Sequence, residues 1–450
     1  MSDGDRRLVG SRQWLLWVGL LVLVGTIVIL VVERNSPPSK GFRSELVVSG
    51  DTAGWLVPCG CTSNQSGGLL RRGTFVHSIS REKMTTVYVA DAGGAASGTS
   101  RYQKTKFEAI LRGELTMGLV AHNLGASEVT LGGEYLRELA ARLHVPFVSA
   151  NVTDASGRPL AEPLRSLGSS DGMITGVLSP RYATEGVQIE DPRTAILRAI
   201  ARGKEKCSVV VLAYMPEEEL LQLAASLPEA DVIVGGPTGQ SISPRQVGPT
   251  QVASATNKGK FLVHFANYVG GARRLWEGNI VELNEKFGDD PDQQANVRQY
   301  LAELEKLDLP AGESGFVSLL PMPKEYRLAG NAACISCHKN DYDLWNASKH
   351  GHAWQTIKDK GYHVDSYCQQ CHTTGYGLPG GFESISRSST MTSVGCESCH
   401  GPSQLHVREP KTKTPFNAKD QCVRCHDHEN SPKFEYESYW AKIKHGSVKP

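Results

Sequence analysis

Cys334-Ile335-Ser336-Cys337-His338 is the first of four Cys-x-x-Cys-His pentads. The others are Cys368–Cys371–His372, Cys396–Cys399–His400 and Cys422–Cys425–His426, and together they hold eight of the eleven cysteines. A cysteine pair followed at once by histidine is the attachment pattern of c-type haem. The thiols add to the haem vinyl groups and the histidine turns under the ring to bind the iron. Zinc ribbons also use Cys-x-x-Cys pairs, about 15–20 residues apart. The intervals here are longer, and zinc gives no reason for a histidine after every pair. The spacing therefore points to four covalently bound haems, with His338, His372, His400 and His426 as proximal ligands.

The second axial ligand is not set by spacing. Methionine and histidine are the usual choices, and they tune the potential differently. Beyond Pro323 the chain has a single methionine, Met391, but six further histidines: His350, His352, His363, His406, His428 and His445. Bis-histidine irons are therefore expected. His428 follows His426 too closely to reach the far face of the same haem, and nothing singles out His363. His350, His352, His406 and His445 are the candidate distal ligands. Surface or propionate-bonding roles are the alternative for each. An iron left without a sixth ligand would be an open binding site.

The elements that must position these groups differ along the chain. Residues 326–450 are poor in apolar side chains and could hardly bury a core of their own. Four apolar porphyrin plates would supply one, with short helices around them. Upstream, apolar runs at Glu45–Val48, Thr86–Ala90, Val145–Ser149, Ser208–Leu212 and Asp231–Val234 read as buried strands. They alternate with helical stretches at Lys104–Arg112, Gly132–Leu143, Pro192–Arg202 and Glu217–Leu227, the pattern of a layered α/β domain over 45–283. Residues 284–325 read as a spacer, with an amphipathic helix at Pro291–Leu307 and a loop at Gly312–Pro323. The fold class expected is thus α/β followed by a mainly α-helical multihaem domain, with one N-terminal transmembrane helix.

That helix is read from Trp14–Val32, an uncharged apolar run long enough to span a bilayer. Arg6, Arg7 and Arg12 precede it, and no small-residue cleavage site ends it. The expected order is a cytoplasmic segment 1–12, an anchor 13–32, a linker 33–44 and an exported bulk, held at a bacterial cytoplasmic membrane on the periplasmic or outer side. Export suits c-type haem, which bacteria attach outside the cytoplasm. A net charge of +1 over 450 residues, with scattered Lys and Arg, excludes a nucleic-acid partner.

Residues 334–446 resemble the cytochrome c-554 family of tetrahaem cytochromes. The resemblance lies in the pentads together with Trp345-x-x-Ser348-x-His350-x-His352-Ala353 and Cys371-His372-Thr373-Thr374-Gly375-Tyr376-Gly377. It continues through Val394-Gly395-Cys396 to Pro402 with His406, then Cys422 to Asp427, and Tyr439-Trp440-x-x-Ile443-x-His445. It implies closely packed haems, with stacked pairs, passing single electrons. Some members of that family keep one five-coordinate haem.

Residues 45–283 resemble the 5'-nucleotidase/2',3'-cyclic phosphodiesterase metallophosphatases. The matching pieces are Ser49–Gly54 with Pro58–Cys61, Ala90–Gly93, Ser149–Asp154, Gly172–Val177 and Ala230–Gly236. The family needs two metal ions held by Asp, His and Asn. Here the Asp-x-His motif reads Asp51-Thr52-Ala53 and the Gly-Asp motif reads Gly93-Gly94. The Gly-Asn-His-Glu motif reads Gly132-Gly133-Glu134, and the late histidine motifs read Leu212-Ala213-Tyr214 and Gly236-Pro237-Thr238-Gly239. One surviving carboxylate cannot hold two metals, so no phosphatase activity is expected. Cys59 and Cys61 follow the first strand and could bind a metal, cycle as a disulfide, contact a partner or be purely structural. Arg71-Arg72 reads as surface, and Cys207 as a buried thiol.

Two functions follow. In one, the chain is an anchored electron carrier between redox partner proteins, with an inactive α/β module. In the other, an open haem, or Cys59/Cys61 together with the haems, acts on a small nitrogen or sulfur compound. A nucleotide sensor is a third reading, without a Gly-rich phosphate loop to support it.

Overall fold

The structure is a computed structural model. It describes residues 41–446 except 59–64, 84, 169–171, 204–206, 271–272, 321–325 and 415–416. Two six-stranded sheets dominate. The first is built from β1 Gly41–Ser49, β2 Thr86–Asp91, β3 Leu119–Asn123, β4 Phe147–Val148, β13 Phe261–Gly270 and β14 Arg273–Glu282, in the order β14-β13-β1-β2-β3-β4. The second is built from β6 Arg165–Leu167, β7 Gly172–Leu178, β9 Ser208–Tyr214, β10 Val232–Gly236, β11 Ile242–Val247 and β12 Thr250–Ser254, in the order β11-β12-β10-β9-β7-β6. A short antiparallel pair, β5 Val152–Asp154 with β8 Val187–Ile189, lies between them in sequence. The inner strands β1 to β4 and β7, β9, β10, β12 run parallel; β13, β14, β11 and β6 add antiparallel edges.

The strands are apolar on both sides because both faces are covered. Successive side chains alternate faces. Leu46 and Val48 meet Val210, Leu212, Val232 and Val234 between the sheets. Val47 and Val89 point outward against the helices Leu69–Lys83, Arg101–Thr116 and Gly133–Leu143. Val209, Val211 and Ala213 point to the opposite outer layer, the helices Pro192–Ile200 and Glu217–Ser226. The result is an α/β/β/α sandwich. Its helices start at good caps: Ser100 closes a capping box with Gln103, and Asp191 caps a helix with proline at its first position.

The helix Pro291–Leu307 is not a spacer. Val297, Tyr300 and Leu304 are buried, and Tyr300 and Leu304 join the outer core of the first sheet. Gln293 and Asn296 donate to the Gly113 and Ala109 carbonyls of the helix Arg101–Thr116, at 2.9 and 2.8 Å. This helix completes the α/β domain past residue 283.

The C-terminal region is built of short helices, among them Lys339–Asn346, Ser366–His372, Cys396–His400, Gln404–Arg408 and Tyr436–Trp440. Its buried apolar cluster is small: Ala311, Leu328, Tyr376, Phe382 and Met391. Met391, the one methionine that could compete for an iron, is thus part of this core. Among the described residues no helix is long and apolar enough to cross a membrane. The expected anchor 13–32 lies outside them.

Candidate functional site

Each pentad lies on a single turn. The His338 and His426 amides donate to the carbonyls of Cys334 and Cys422, at 2.9 Å each. Residues i and i+3 share one face of such a turn, so each cysteine pair presents its sulfurs together. The Asp365 side chain caps the helix Ser366–His372 by accepting from the Tyr367 amide at 2.8 Å. The Cys396 amide donates to Asn331, three residues before Cys334, at 3.0 Å, and Cys371 and Cys425 line one small cavity, so the first pentad sits beside the third and the second beside the fourth.

The imidazoles come in facing pairs. His338 and His406 have ring centroids 6.2 Å apart, His350 and His426 6.1 Å, and His400 and His445 5.8 Å. Two imidazoles on one iron, each bonded at about 2 Å, separate their centroids by about 6 Å. Burial holds His350, His372, His400 and His426 below the usual imidazole range, which favours the neutral, ligating form. Three of the four expected distal histidines therefore stand opposite a pentad histidine. His352 does not: it is exposed, and its Nδ1 is 3.0 Å from the Ser348 carbonyl. His372 has Nδ1 2.7 Å from the Ala353 carbonyl, which orients the ring and leaves Nε2 for a metal. Among the described residues no imidazole faces it in this way.

The region also fits the group its pentads imply. Leu344, Leu405, Val407 and Val423 are 60%, 39%, 43% and 50% exposed; Leu405 and Val407 flank His406, Val423 lies inside the fourth pentad, and Leu344 lies in the helix after the first. An apolar macrocycle seated on the pentads would cover such side chains.

The carboxyl ends of the parallel strands form the second candidate site, and among the described residues several of the positions expected to hold metal are taken up otherwise. Tyr214, at the end of β9, fills the space: a Cβ on Gly94 would lie 2.6 Å from its ring, and one on Gly125 2.8 Å. Asp51 is occupied by hydrogen bonds from the Thr256 hydroxyl at 2.8 Å and the Asn257 amide at 3.2 Å. The segment leaving β3 is Gly125-Ala126-Ser127-Glu128, so this, and not Gly132-Gly133-Glu134, stands at the strand ends; Gly133 begins an outer helix. Glu128 accepts four backbone amides, from Gly94, Ala95, Ala96 and Gly125, at 2.6–3.0 Å.

Beneath lies a buried ionic cluster. Arg72 is fully buried, not on the surface. It donates to Ser49 and Glu114 through Nη1, at 2.9 and 3.1 Å, and to Thr52 through Nη2 at 2.9 Å. His122 Nδ1 is 2.8 Å from Glu114, while its Nε2 is 3.9 Å from Glu128, too far for a hydrogen bond. Burial opposes charge on His122, but Glu114 outweighs it and holds the imidazole well above its ordinary value. Burial, reinforced by Glu114, pushes Asp91 up to about 7. Asp91, Glu114 and His122 are close enough to share an ion, but the Arg72 guanidinium already occupies the cationic position. Nothing in the periodicity announced this cluster. The available signal was a glutamate on the apolar face of Arg101–Thr116 and a histidine inside β3. Cys59 and Cys61 lie outside the described residues, and Cys207 is half-buried, not sealed in the core.

The two regions are docked against each other. The Tyr102 and Tyr300 hydroxyls donate to Asp365 at 2.6 and 3.1 Å. Trp55 meets Tyr367 edge-on at 5.2 Å, and Lys258 pairs with Glu429. Asp308 accepts from Ser384 at 2.9 Å and from the Ile385 amide at 3.0 Å.

Comparison with known proteins agrees with both halves. Residues 333–401 match the family model for cytochrome c554 and c-prime. Cytochrome c-554 of Nitrosomonas europaea is 30% identical over 139 residues, covering 23% of this chain and 59% of that protein. The chain thus spans less than two thirds of that relative. By this homology the C-terminal region is similar to a multihaem c-type cytochrome. The Thermus thermophilus sulfate thiohydrolase SoxB superposes with a TM-score of 0.50 at 18% identity, over 72% of this chain and 69% of its own. A 5'-nucleotidase precursor from Thermus thermophilus gives 0.50 at 16% identity, over 86% and 96%. Calcineurin-like phosphoesterase YfkN from Bacillus subtilis gives 0.50 at 14%, over 59% and 98%. At these identities the likeness is one of fold: a metallophosphatase-like α/β domain.

Proposed function

We propose that the chain is a membrane-anchored electron-transfer protein with four c-type haems, working outside the cytoplasmic membrane between a donor and an acceptor protein. The observation that carries this reading is the set of three facing imidazole pairs, each joining a pentad histidine to one from another segment. The bound haems would supply one-electron redox chemistry. The residues of this chain would anchor, ligate and orient them: the eight pentad cysteines would hold the rings, and His338/His406, His350/His426 and His400/His445 would ligate three irons. Because the first pentad lies beside the third and the second beside the fourth, haems attached there would be neighbours, as electron transfer between them requires. Two imidazoles per iron favour potentials lower than a Met/His pair. The α/β cleft, with Tyr214 over Gly94 and Asp51 occupied, has no phosphatase role, so phosphate release from a nucleotide, abolished by chelation, would contradict this part.

A second reading rests on His372. With no imidazole opposite it among the described residues, the second iron would keep an open position, able to bind a small nitrogen or sulfur compound. One experiment tests both readings. A haem-to-protein ratio of four with an oxidised spectrum that is low-spin throughout supports a pure carrier. One high-spin component in four, shifted by nitrite, hydroxylamine or nitric oxide, supports the open site. A ratio other than four sinks the tetrahaem reading itself.

A further inference from the structure

The α/β domain grips the helix of the second pentad at one residue, Asp365. This aspartate caps the helix Ser366–His372, which carries the whole second pentad, and lies three residues before Cys368. Its carboxylate is buried, and its acceptor sites are taken from two sides. The Tyr367 amide, from its own helix, donates to Oδ1 at 2.8 Å. Two phenols come from the α/β domain. Tyr102, in Arg101–Thr116, donates to Oδ1 at 2.6 Å, and Tyr300, in Pro291–Leu307, donates to Oδ2 at 3.1 Å. Both tyrosines are almost wholly buried, at 1% and 2% exposure. Lys106 Nζ donates to the Tyr102 oxygen at 3.0 Å and sits over the rings of Tyr102 and Tyr367. The sequence Lys106, Tyr102, Asp365 is therefore a hydrogen-bonded relay from a cation to a carboxylate.

We propose that this clamp makes the α/β domain the positioning element of the second haem and a determinant of its reduction potential. The idea rests on the reading of Cys368, Cys371 and His372 as a haem site. The physical reason is that a fixed carboxylate beside a haem stabilises the ferric over the ferrous iron, and that hydrogen bonds and burial around a site tune its potential. Donation by two phenols disperses the Asp365 charge, and their helices belong to the rigid outer layer of the sandwich. The α/β domain thus keeps a hold on the haem site whose histidine has no facing imidazole among the described residues. Tyr102, Tyr300 and Asp365 are positioning residues: they act through the helix and its field, not on the iron.

The test uses the full-length holoprotein in a spectroelectrochemical titration. Asp365→Asn keeps an N-cap acceptor and removes the charge. It should raise one component midpoint and leave the other three in place. Tyr102→Phe with Tyr300→Phe keeps the ring packing and removes both donors, and it should displace the same component. If the second iron is open, that component is the one carrying the high-spin signal. Variants that melt earlier with every midpoint unmoved would reduce the clamp to a structural contact and overturn the proposal, as would four midpoints moving together. Failure of the haem reading shows separately, as fewer than four haems per chain in the unmutated protein.

Discussion

Replacing Arg72 with methionine should loosen the α/β domain from within. The guanidinium is fully buried and makes three hydrogen bonds, one to the Glu114 carboxylate, with Asp91 a further 3.8 Å contact. Below about pH 7 the cluster balances: Arg72 and His122 are cationic, Glu114 and Glu128 anionic, and Asp91 protonated. Methionine fills most of the volume but leaves one buried anion uncompensated. Breaking a buried ion pair in this way costs about 3–5 kcal/mol, which corresponds to a change of roughly 10² to 5 × 10³ in an opening equilibrium. Hydrogen–deuterium exchange of peptides covering β1 and β2 reads this locally, without assuming that the two-domain chain unfolds in one step. Those peptides should exchange faster by that factor. Adding Glu114→Gln, which removes the orphaned charge, should recover part of the loss, because the two sites are coupled. Less than a tenfold change in the single variant would refute the claim that the cluster is a charge-balanced unit.

Three further outcomes are expected. Stability of the α/β domain should fall as pH rises from about 5 to 8: Asp91 has a folded pKa raised to about 7, so the native state loses its extra proton affinity over the range from about 4 to 7, and His122, raised well above its ordinary value, withdraws its contribution above about 6.5. Melting curves across this range that stay level or rise would contradict the signs. Gly94→Asp alone should destabilise by about 2 kcal/mol or more, since φ is +83° and the new Cβ would meet the Tyr214 ring; Tyr214→His should relieve part of it, seen as a recovered melting temperature. His350→Ala should convert one low-spin haem to high-spin in the oxidised spectrum, whereas His352→Ala should leave the spectrum unchanged; equal effects from both would remove the distinction between them.

Much was legible in the chain itself. The pentads announce themselves by local spacing, and no fold is needed to see that Cys334, Cys337 and His338 share a turn. The strands around Val47, Val89 and Val210 were readable because burial on both faces leaves an unbroken apolar run. Four helices of the outer layers were placed to within a few residues, whereas Leu69–Lys83 was not read as a helix. The helix Pro291–Leu307 looked like a spacer because its surface is polar, and only its packing partners show that Val297, Tyr300 and Leu304 are core.

What the tertiary structure alone decided is pairing. Which histidine faces which depends on contacts between segments up to 76 residues apart, as for His350 and His426, and no short-range spacing rule reaches that far. The same holds for Arg72, whose adjacent-arginine sequence reads as surface until Glu114 and Asp91 close over it. It holds also for Tyr102 and Asp365, 263 positions apart. Covalent attachment is set by neighbours along the chain and is written in the sequence. Imidazole pairing, charge compensation and domain docking are set by neighbours in space, and they become visible only once the chain is folded.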